Sequence, residues 1–292
     1  MNIRTKEIEK TFTGLNTKPG VSLSFESPLI MGIVNITPDS FYDGGRYISL
    51  KAAIEHSEQL ISEGADIIDL GAASTRPGAA DVSPEEELNR LLPVLDHLIK
   101  HHSKIPVSID TFHASVAQET TDRGASLIND ISGGSDSEMY KTVGKLKIPY
   151  VLMHIQGTPK TMQKAPNYTD VVEEVFQYFS ERINKLESAG VEQIIIDPGF
   201  GFGKTIEHNY SLLRHLDRFK SLGYPIMVGL SRKSLINKVL KTKPENALTG
   251  TISLNTIALL QGADILRVHD VKEAKQVIQV VKQFSSPNTP AK

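Results

Sequence analysis

Apolar residues along this chain gather into short runs of strand length, separated by stretches with helical period. The runs fall at 29–34, 66–70, 107–109, 126–128, 150–153, 194–196, 226–228 and 265–268. They carry Ile, Val and Leu with little polar alternation, as strands packed on both faces do. Between them, 52–61, 85–99, 171–186, 210–222 and 271–284 repeat apolar residues every three or four positions, the period of helices lying on a sheet. The phrases Glu63-Gly64-Ala65-Asp66, Arg123-Gly124-Ala125-Ser126, Ala189-Gly190-Val191-Glu192 and Gln261-Gly262-Ala263-Asp264 each set glycine where a helix ends and the next strand begins. Strand followed by helix, repeated, predicts parallel strands covered from outside. Eight such units point to an α/β fold of the (β/α)8 TIM barrel type rather than a doubly wound open sheet. The stretch 231–261 is long for one helix and is expected to break at Lys243-Pro244-Glu245-Asn246. Residues 1–28 stand outside the rhythm, and alternation over 21–25 suggests a short strand or hairpin extension. The expectation is a single domain over 1–292, with 1–28 as an N-terminal extension and 285–292 as a disordered tail.

Composition narrows the function. With 32 Lys and Arg against 34 Asp and Glu the net charge is −2, so no basic field invites nucleic acid. Aromatics make up 6% and Trp is absent, which disfavours a base-stacking surface. The lack of cysteine excludes disulfides, thiolate metal sites and a cysteine nucleophile, and it fits a cytoplasmic enzyme. No window reaches the ~18 apolar residues a membrane-spanning helix needs, and the charged first ten residues show no secretory signal.

In a parallel barrel the chemistry sits at the carboxyl ends of the strands. Those positions hold Asn35, Asp69, Asp110, Asn129, His154, Asp197, then Ser231-Arg232-Lys233, then Arg267 and His269. The stretch from Gln193 to Thr205 is the most distinctive: three isoleucines, then Asp197-Pro198-Gly199-Phe200-Gly201-Phe202-Gly203-Lys204. It nearly fits two phosphate-binding loops. A Walker A loop requires glycine at Pro198, and a dinucleotide fingerprint requires it at Lys204, so neither applies. Asp110, Asn129 and Asp197 offer carboxylates and an amide, the complement of a flat heterocycle with an amino-pyrimidinone edge. Lys233 supplies a donor to a carbonyl or ring nitrogen. Asn35, Arg267 and His269 read as a separate group suited to phosphate. These strand ends set out no carboxylate pair for hydrolysis, no Gly-x-Ser-x-Gly elbow and no His-x-x-x-His zinc pair.

Taken together, the motifs resemble those of the dihydropteroate synthase family. Met31-Gly32-Ile33-Val34-Asn35-Ile36-Thr37-Pro38-Asp39-Ser40-Phe41 is similar to its first signature, and Ile68-Asp69-Leu70-Gly71-Ala72-Ala73-Ser74-Thr75-Arg76-Pro77-Gly78-Ala79 to its second. Ser108-Ile109-Asp110-Thr111, Ile128-Asn129-Asp130-Ile131, Met153-His154-Ile155-Gln156-Gly157, the Asp197–Lys204 run, Ser231-Arg232-Lys233-Ser234 and Arg267-Val268-His269-Asp270-Val271 follow in order. Many members of the family carry Gly-Glu where this chain has Ala72-Ala73.

The resemblance implies transfer of a dihydropterin from its pyrophosphate to 4-aminobenzoate, giving 7,8-dihydropteroate. By motif, Asp110, Asn129, Asp197 and Lys233 hold the pterin, with Gly229 and Met153 lining its pocket and Arg267 on its face. Asn35, Thr75, Arg267 and His269 match positions that contact pyrophosphate, Asn35 being also the family's Mg2+ ligand. Arg76, Pro77, Phe202, Lys233 and Ser234 match the aminobenzoate subsite. The loops 37–47 and 74–84 are long and polar enough to close over the site, with Asp39, Asp43 and Arg76 completing it. Dissociative loss of pyrophosphate needs no strong base, since the arylamine is already a nucleophile. The family's usual dimer is expected too, with 248–260 a plausible interface. Two alternatives remain at this point: a methyltetrahydrofolate-dependent corrinoid methyltransferase domain, and a catalytically silent pterin-binding protein.

Overall fold

The computed structural model describes residues 13–18, 21–36, 46–72, 82–158, 162 and 166–285. It opens on an antiparallel hairpin, β1 (Gly14–Lys18) and β2 (Val21–Ser24). Eight parallel strands follow: β3 (Leu29–Asn35), β4 (Ile67–Gly71), β5 (Val107–Asp110), β6 (Leu127–Asp130), β7 (Tyr150–Met153), β8 (Ile194–Asp197), β9 (Met227–Val228) and β10 (Ile265–Val268). Consecutive strands pair from β3 to β8, β10 pairs with both β3 and β9, and the Ile196–Ile226 bridge closes the ring. The barrel is therefore complete, as the strand–helix rhythm predicts.

The helices outside it are α1 (Arg46–Glu63), α2 (Pro84–His101), α3 (Ala114–Asp122), α4 (Met139–Leu146), α5 (Val171–Ser188), α6 (Ile206–Arg214), α7 (Ser234–Leu240), α8 (Leu248–Leu260) and α9 (Val271–Ser285). Their starts follow capping chemistry. Ser83 accepts from the Glu86 N–H at 3.2 Å ahead of Pro84 and three glutamates, and Asp170 accepts from the Val172 and Glu173 N–H groups at 2.9 and 3.1 Å. Gly64 and Gly124 (φ 100° and 105°) make the left-handed turns that end α1 and follow α3. The break expected at 243–246 is a 3-10 turn, Pro244–Asn246, between α7 and α8. The helix expected over 210–222 starts earlier, because Thr205 caps at Ile206, and gives way at His215 to the 3-10 turn Leu216–Leu222. Ser285, placed in the tail by the sequence reading, is the last residue of α9. Residues 286–292 lie outside the described set.

Side chains alternate along a strand, and this places the site. Leu29, Met31, Ile67, Leu127, Val151, Ile195, Met227 and Ile265 form the barrel's inner apolar layer. Leu15 of β1 is fully buried in the same layer, and Leu23 and Phe25 pack on it, so the hairpin plugs the barrel's amino-terminal end. Two residues beyond Ile67, Leu127, Val151, Ile195, Met227 and Ile265 come Asp69, Asn129, Met153, Asp197, Gly229 and Arg267. The next layer towards the carboxyl end is thus polar where the first is apolar.

Candidate active site

Arg267, on β10, is the hub of that polar layer. Its Nε donates to Asp69 Oδ2 at 2.6 Å and its Nη2 to Asp110 Oδ2 at 2.7 Å, joining the ends of β4, β5 and β10. Asn129 Nδ2 donates to the same Asp69 oxygen at 3.0 Å, which fixes the amide's orientation. Asp69 has 0% side-chain exposure, and a carboxylate so placed is held only because two donors face it. Burial opposes the charge on Arg267, but Asp69 and Asp110 more than offset this and raise its pKa. Asp110 is pushed up to about 7 by burial, against the pull of Arg267 and with the help of neighbouring Asp69. One guanidinium serves two carboxylates.

Arg267, grouped from the sequence with Asn35 and His269 as suited to phosphate, also pairs with the acidic ring, through Asp69 and Asp110. His269 is a neutral group here: burial, then Arg267, lowers its pKa to about 4, and its Nδ1 lies 3.1 Å from Ser231 Oγ. Asn35 lies exposed at the rim where β3 ends, beside Gly71 in register. Among the described residues, Asn129 Oδ1 and Asp69 Oδ1 are buried without a hydrogen-bond partner. The first is an acceptor at the carboxyl end of β6.

The 197–204 loop supplies the opposite wall. Asp197 Oδ1 accepts the Gly199 N–H at 2.8 Å, and burial raises its carboxyl pKa against the pull of Lys233. Gly199 has φ 68° and lies so close to β7 that a Cβ there would stand 2.0 Å from the His154 carbonyl oxygen. Any side chain would push the loop off the strand. Lys233 Nζ donates to the Phe200 carbonyl at 2.5 Å and sits 4.7 Å from the Phe202 ring centre, a cation–π distance. Burial lowers its pKa to about 8. Gly229 lies beside this ammonium: a Cβ there would stand 3.6 Å from Lys233 Nζ, an ordinary contact. Met153 is buried at the end of β7, in register with Asp197.

The Ser231–Ser234 turn sends alternate side chains opposite ways. Arg232 takes the left-handed region (φ 55°) and turns outward to Asp270, at 3.1 Å through Nε and 2.5 Å through Nη2. Ser231 and Lys233 therefore reach inward, while Ser234 starts α7 exposed at the rim. Thr75, Arg76 and Pro77, with Asp39 and Asp43, lie outside the described residues. Of the Ala72-Ala73 departure, Ala72 is buried and its carbonyl accepts from Arg90 Nη1 at 2.9 Å; Ala73 lies outside them.

Two groups escaped the sequence reading. Asp69 appears there only as a strand end, although it anchors both Arg267 and Asn129. Lys204 was passed over with the failed Walker motif. Its Nζ is buried among four acceptors: His154 Nδ1, Gly199 O and Phe202 O, each at 2.9 Å, and His154 O at 3.3 Å. Burial pulls its pKa well down, while Asp197 favours the charge. His154 faces this ammonium and the Tyr178 ring, 4.7 Å between ring centres, so it serves the loop anchor. Asp130, buried beside Asn129, likewise organises a turn, accepting from Ser132, Gly134 and Tyr150.

A closed parallel barrel with this polar layer at its carboxyl mouth is the architecture of pterin-binding enzymes. The family model described as "Pterin binding enzyme" matches residues 31–269. The dihydropteroate synthase of Escherichia coli (strain K12) is 47% identical over 265 residues, covering 90% of this chain and 94% of its own. A Xanthomonas albilineans dihydropteroate synthase with 4-aminobenzoic acid superimposes with a TM-score of 0.88 at 40% identity, covering 94% of this chain and 99% of that one. A dihydropteroate synthase of the same organism, in complex with 7,8-dihydropteroate, gives a TM-score of 0.84 at 38% identity, over 94% and 100%. The chain belongs to the pterin binding enzyme family, among its dihydropteroate synthases.

Proposed function

We propose that the chain is a transferase condensing 6-hydroxymethyl-7,8-dihydropterin pyrophosphate with 4-aminobenzoate to give 7,8-dihydropteroate and pyrophosphate. One observation carries this reading: the partnerless, buried Asn129 Oδ1 at the floor of a mouth shared with Asp110 and Asp197. A buried acceptor without a donor costs about 1–3 kcal/mol, which an N–H of the pterin edge would relieve. Asp197 and Asn129 receive the amino-pyrimidinone edge, and Lys233 releases Phe200 O to donate to the ring. The carbon–oxygen bond to pyrophosphate breaks first. The cation left on the exocyclic carbon is delocalised over the dihydropterin and favoured by the carboxylates of Asp110 and Asp197. The aminobenzoate nitrogen then forms the new bond and loses its proton to solvent or pyrophosphate. Phe202, beside Lys233, walls the aminobenzoate subsite.

The leaving group meets the opposite rim. Arg267 contacts it by exchanging its bond to Asp110, and His269, held beside Ser231, contributes a ring N–H. Asn35 offers a lone amide oxygen at an open rim, which suits Mg2+, a cation that takes few protein ligands beside phosphate oxygens and water. When bound, Mg2+ would neutralise charge developing on the departing pyrophosphate. Thr75 at the pyrophosphate, Arg76 and Pro77 at the aminobenzoate, Asp43 in closure and Ser234 at the rim are assigned by resemblance.

Pyrophosphate release from purified protein, both substrates and Mg2+ is the test. No release at saturation rejects the assignment, and release that ignores aminobenzoate rejects the condensation. We further propose a homodimer, supported by exposed apolar residues on α7, α8 and α9. No helix among the described residues is long and apolar enough to cross a membrane. A cytoplasmic location is part of the same proposal, because a pyrophosphorylated substrate does not cross a bilayer unaided.

A further inference from the structure

Outside the barrel mouth, one cluster of side chains has no part in the transfer reaction. Glu58, exposed on α1, faces His97 on α2 and His102 just beyond its end. His97 Nε2 lies 2.9 Å from Glu58 Oε1, and His102 Nε2 lies 3.6 Å from the same oxygen. One ligand atom from each of the three lies within 4.8 Å of the others. His101 stacks on His97, with ring centres 4.5 Å apart. The His-x-x-x-His spacing missing from the strand ends is thus present on the barrel's outside, as His97 and His101. Residues four apart share one face of a helix.

We propose that Glu58, His97 and His102 form a transition-metal site, taking a borderline divalent cation such as Zn2+, that ties α1 to α2. Two imidazoles and one carboxylate are donors that zinc, copper and nickel accept, whereas Mg2+ prefers oxygen alone. Ligand atoms on tetrahedral zinc, with bonds of about 2.0–2.1 Å, stand roughly 3.3–3.4 Å apart. The two contacts to Glu58, at 2.9 and 3.6 Å, bracket that spacing, and the two imidazole nitrogens lie within 4.8 Å, so side-chain rotations bring the set together. The backbone is fixed in advance. Both histidines hang from one helix end, where the His102 N–H is bonded to Leu98 O, and the Glu58–His97 hydrogen bond already holds the helices in register. Water completes the fourth position. Because the cation needs both helices in place, it binds the folded chain and not the unfolded one.

Calorimetric titration of the full chain with Zn2+, in excess Mg2+ at neutral pH, tests this. The expected result is one equivalent bound, with affinity falling at least about tenfold in Glu58→Gln, His97→Ala and His102→Gln, each losing one of the three ligands. The wild-type thermal midpoint should rise on the order of 5 °C at a hundredfold excess over Kd, and that rise should vanish in the double variant His97→Ala/His102→Gln. All variants should fold, and release pyrophosphate like wild type without zinc, since none touches the mouth. No zinc binding by wild type, or equal affinity in the variants, overturns the site. Binding lost in His101→Ala but kept in His102→Gln overturns the ligand set.

Discussion

At the scale of residues, Arg267 and Lys233 divide the electrostatic work of the mouth, and each leads to a measurable consequence. Lys233 has its pKa lowered to about 8, first by burial, so it loses its proton as pH rises through that value. Since kcat/KM reports the free enzyme, it should fall about tenfold per pH unit above roughly pH 8. A profile flat well beyond pH 8 would show that the neutral amine suffices. Lys233→Ala, which leaves Asp197 and Phe200 O without their cation, should lose about 2–4 kcal/mol of transition-state stabilisation. Lys204 acts at one remove from substrate. In Lys204→Met the carbonyls of Gly199 and Phe202 lose their donor, each at a cost of about 1–3 kcal/mol if it stays buried. The expected signature is a higher aminobenzoate KM, through the displaced Phe202 wall, with pterin affinity by calorimetry retained. A variant with unchanged KM would show that the loop holds without its clamp. These two lysines also mark what the sequence could reveal. Lys233 stands in the turn between β9 and α7, where chemistry is sought. Asp69 acts through a partner 198 residues away, and Lys204 joins its own loop to His154, 50 residues away, links that no local pattern encodes.

At the scale of elements, the barrel strands were legible because they are buried on both faces and so read as short, mainly apolar runs. Counting two residues along from the inner apolar layer then reaches Asp69, Asn129, Asp197 and Arg267. Helix ends were less legible. Thr205 caps α6 through reciprocal bonds with His208, a pairing in which histidine stands where Glu or Gln is usual. The hairpin was legible only as alternation, and its task was not, because Leu15 meets partners scattered over the whole chain. Leu15→Ala tests the plug. Truncating a fully buried leucine costs about 2–5 kcal/mol, so the urea midpoint should drop clearly. With the site at the other end of the barrel, kcat/KM at 25 °C should stay near wild type. An unchanged midpoint would mean the hairpin lies on the barrel without closing it.

At the scale of the whole molecule, α8 is the anomaly. It carries no charged residue and is apolar around much of its circumference, the pattern of a helix buried on all sides. Its inward face, with Leu254, Ala258 and Leu259, meets the core, yet Ile257 and Leu260 are 42% and 50% exposed. The adjoining helices add Val239 and Leu240 on α7, and Val280 and Phe284 on α9, the last at 76%. Single exposed leucines are ordinary, but six large exposed apolar side chains fall on three successive helices, α7, α8 and α9, and a surface of this kind is one that subunits cover. A second copy is the simplest occupant, since twofold association buries the same patch on both partners. Sedimentation should then show a dimer that persists at high salt, because apolar contact is not screened as charge is. Leu260→Glu/Val280→Glu would bury carboxylates without partners at such a contact and should give a monomer with unchanged circular dichroism. That monomer should still release pyrophosphate, because the Arg267 layer is built within one chain. A monomeric wild type, or a double variant that still dimerises, would remove this face from the account.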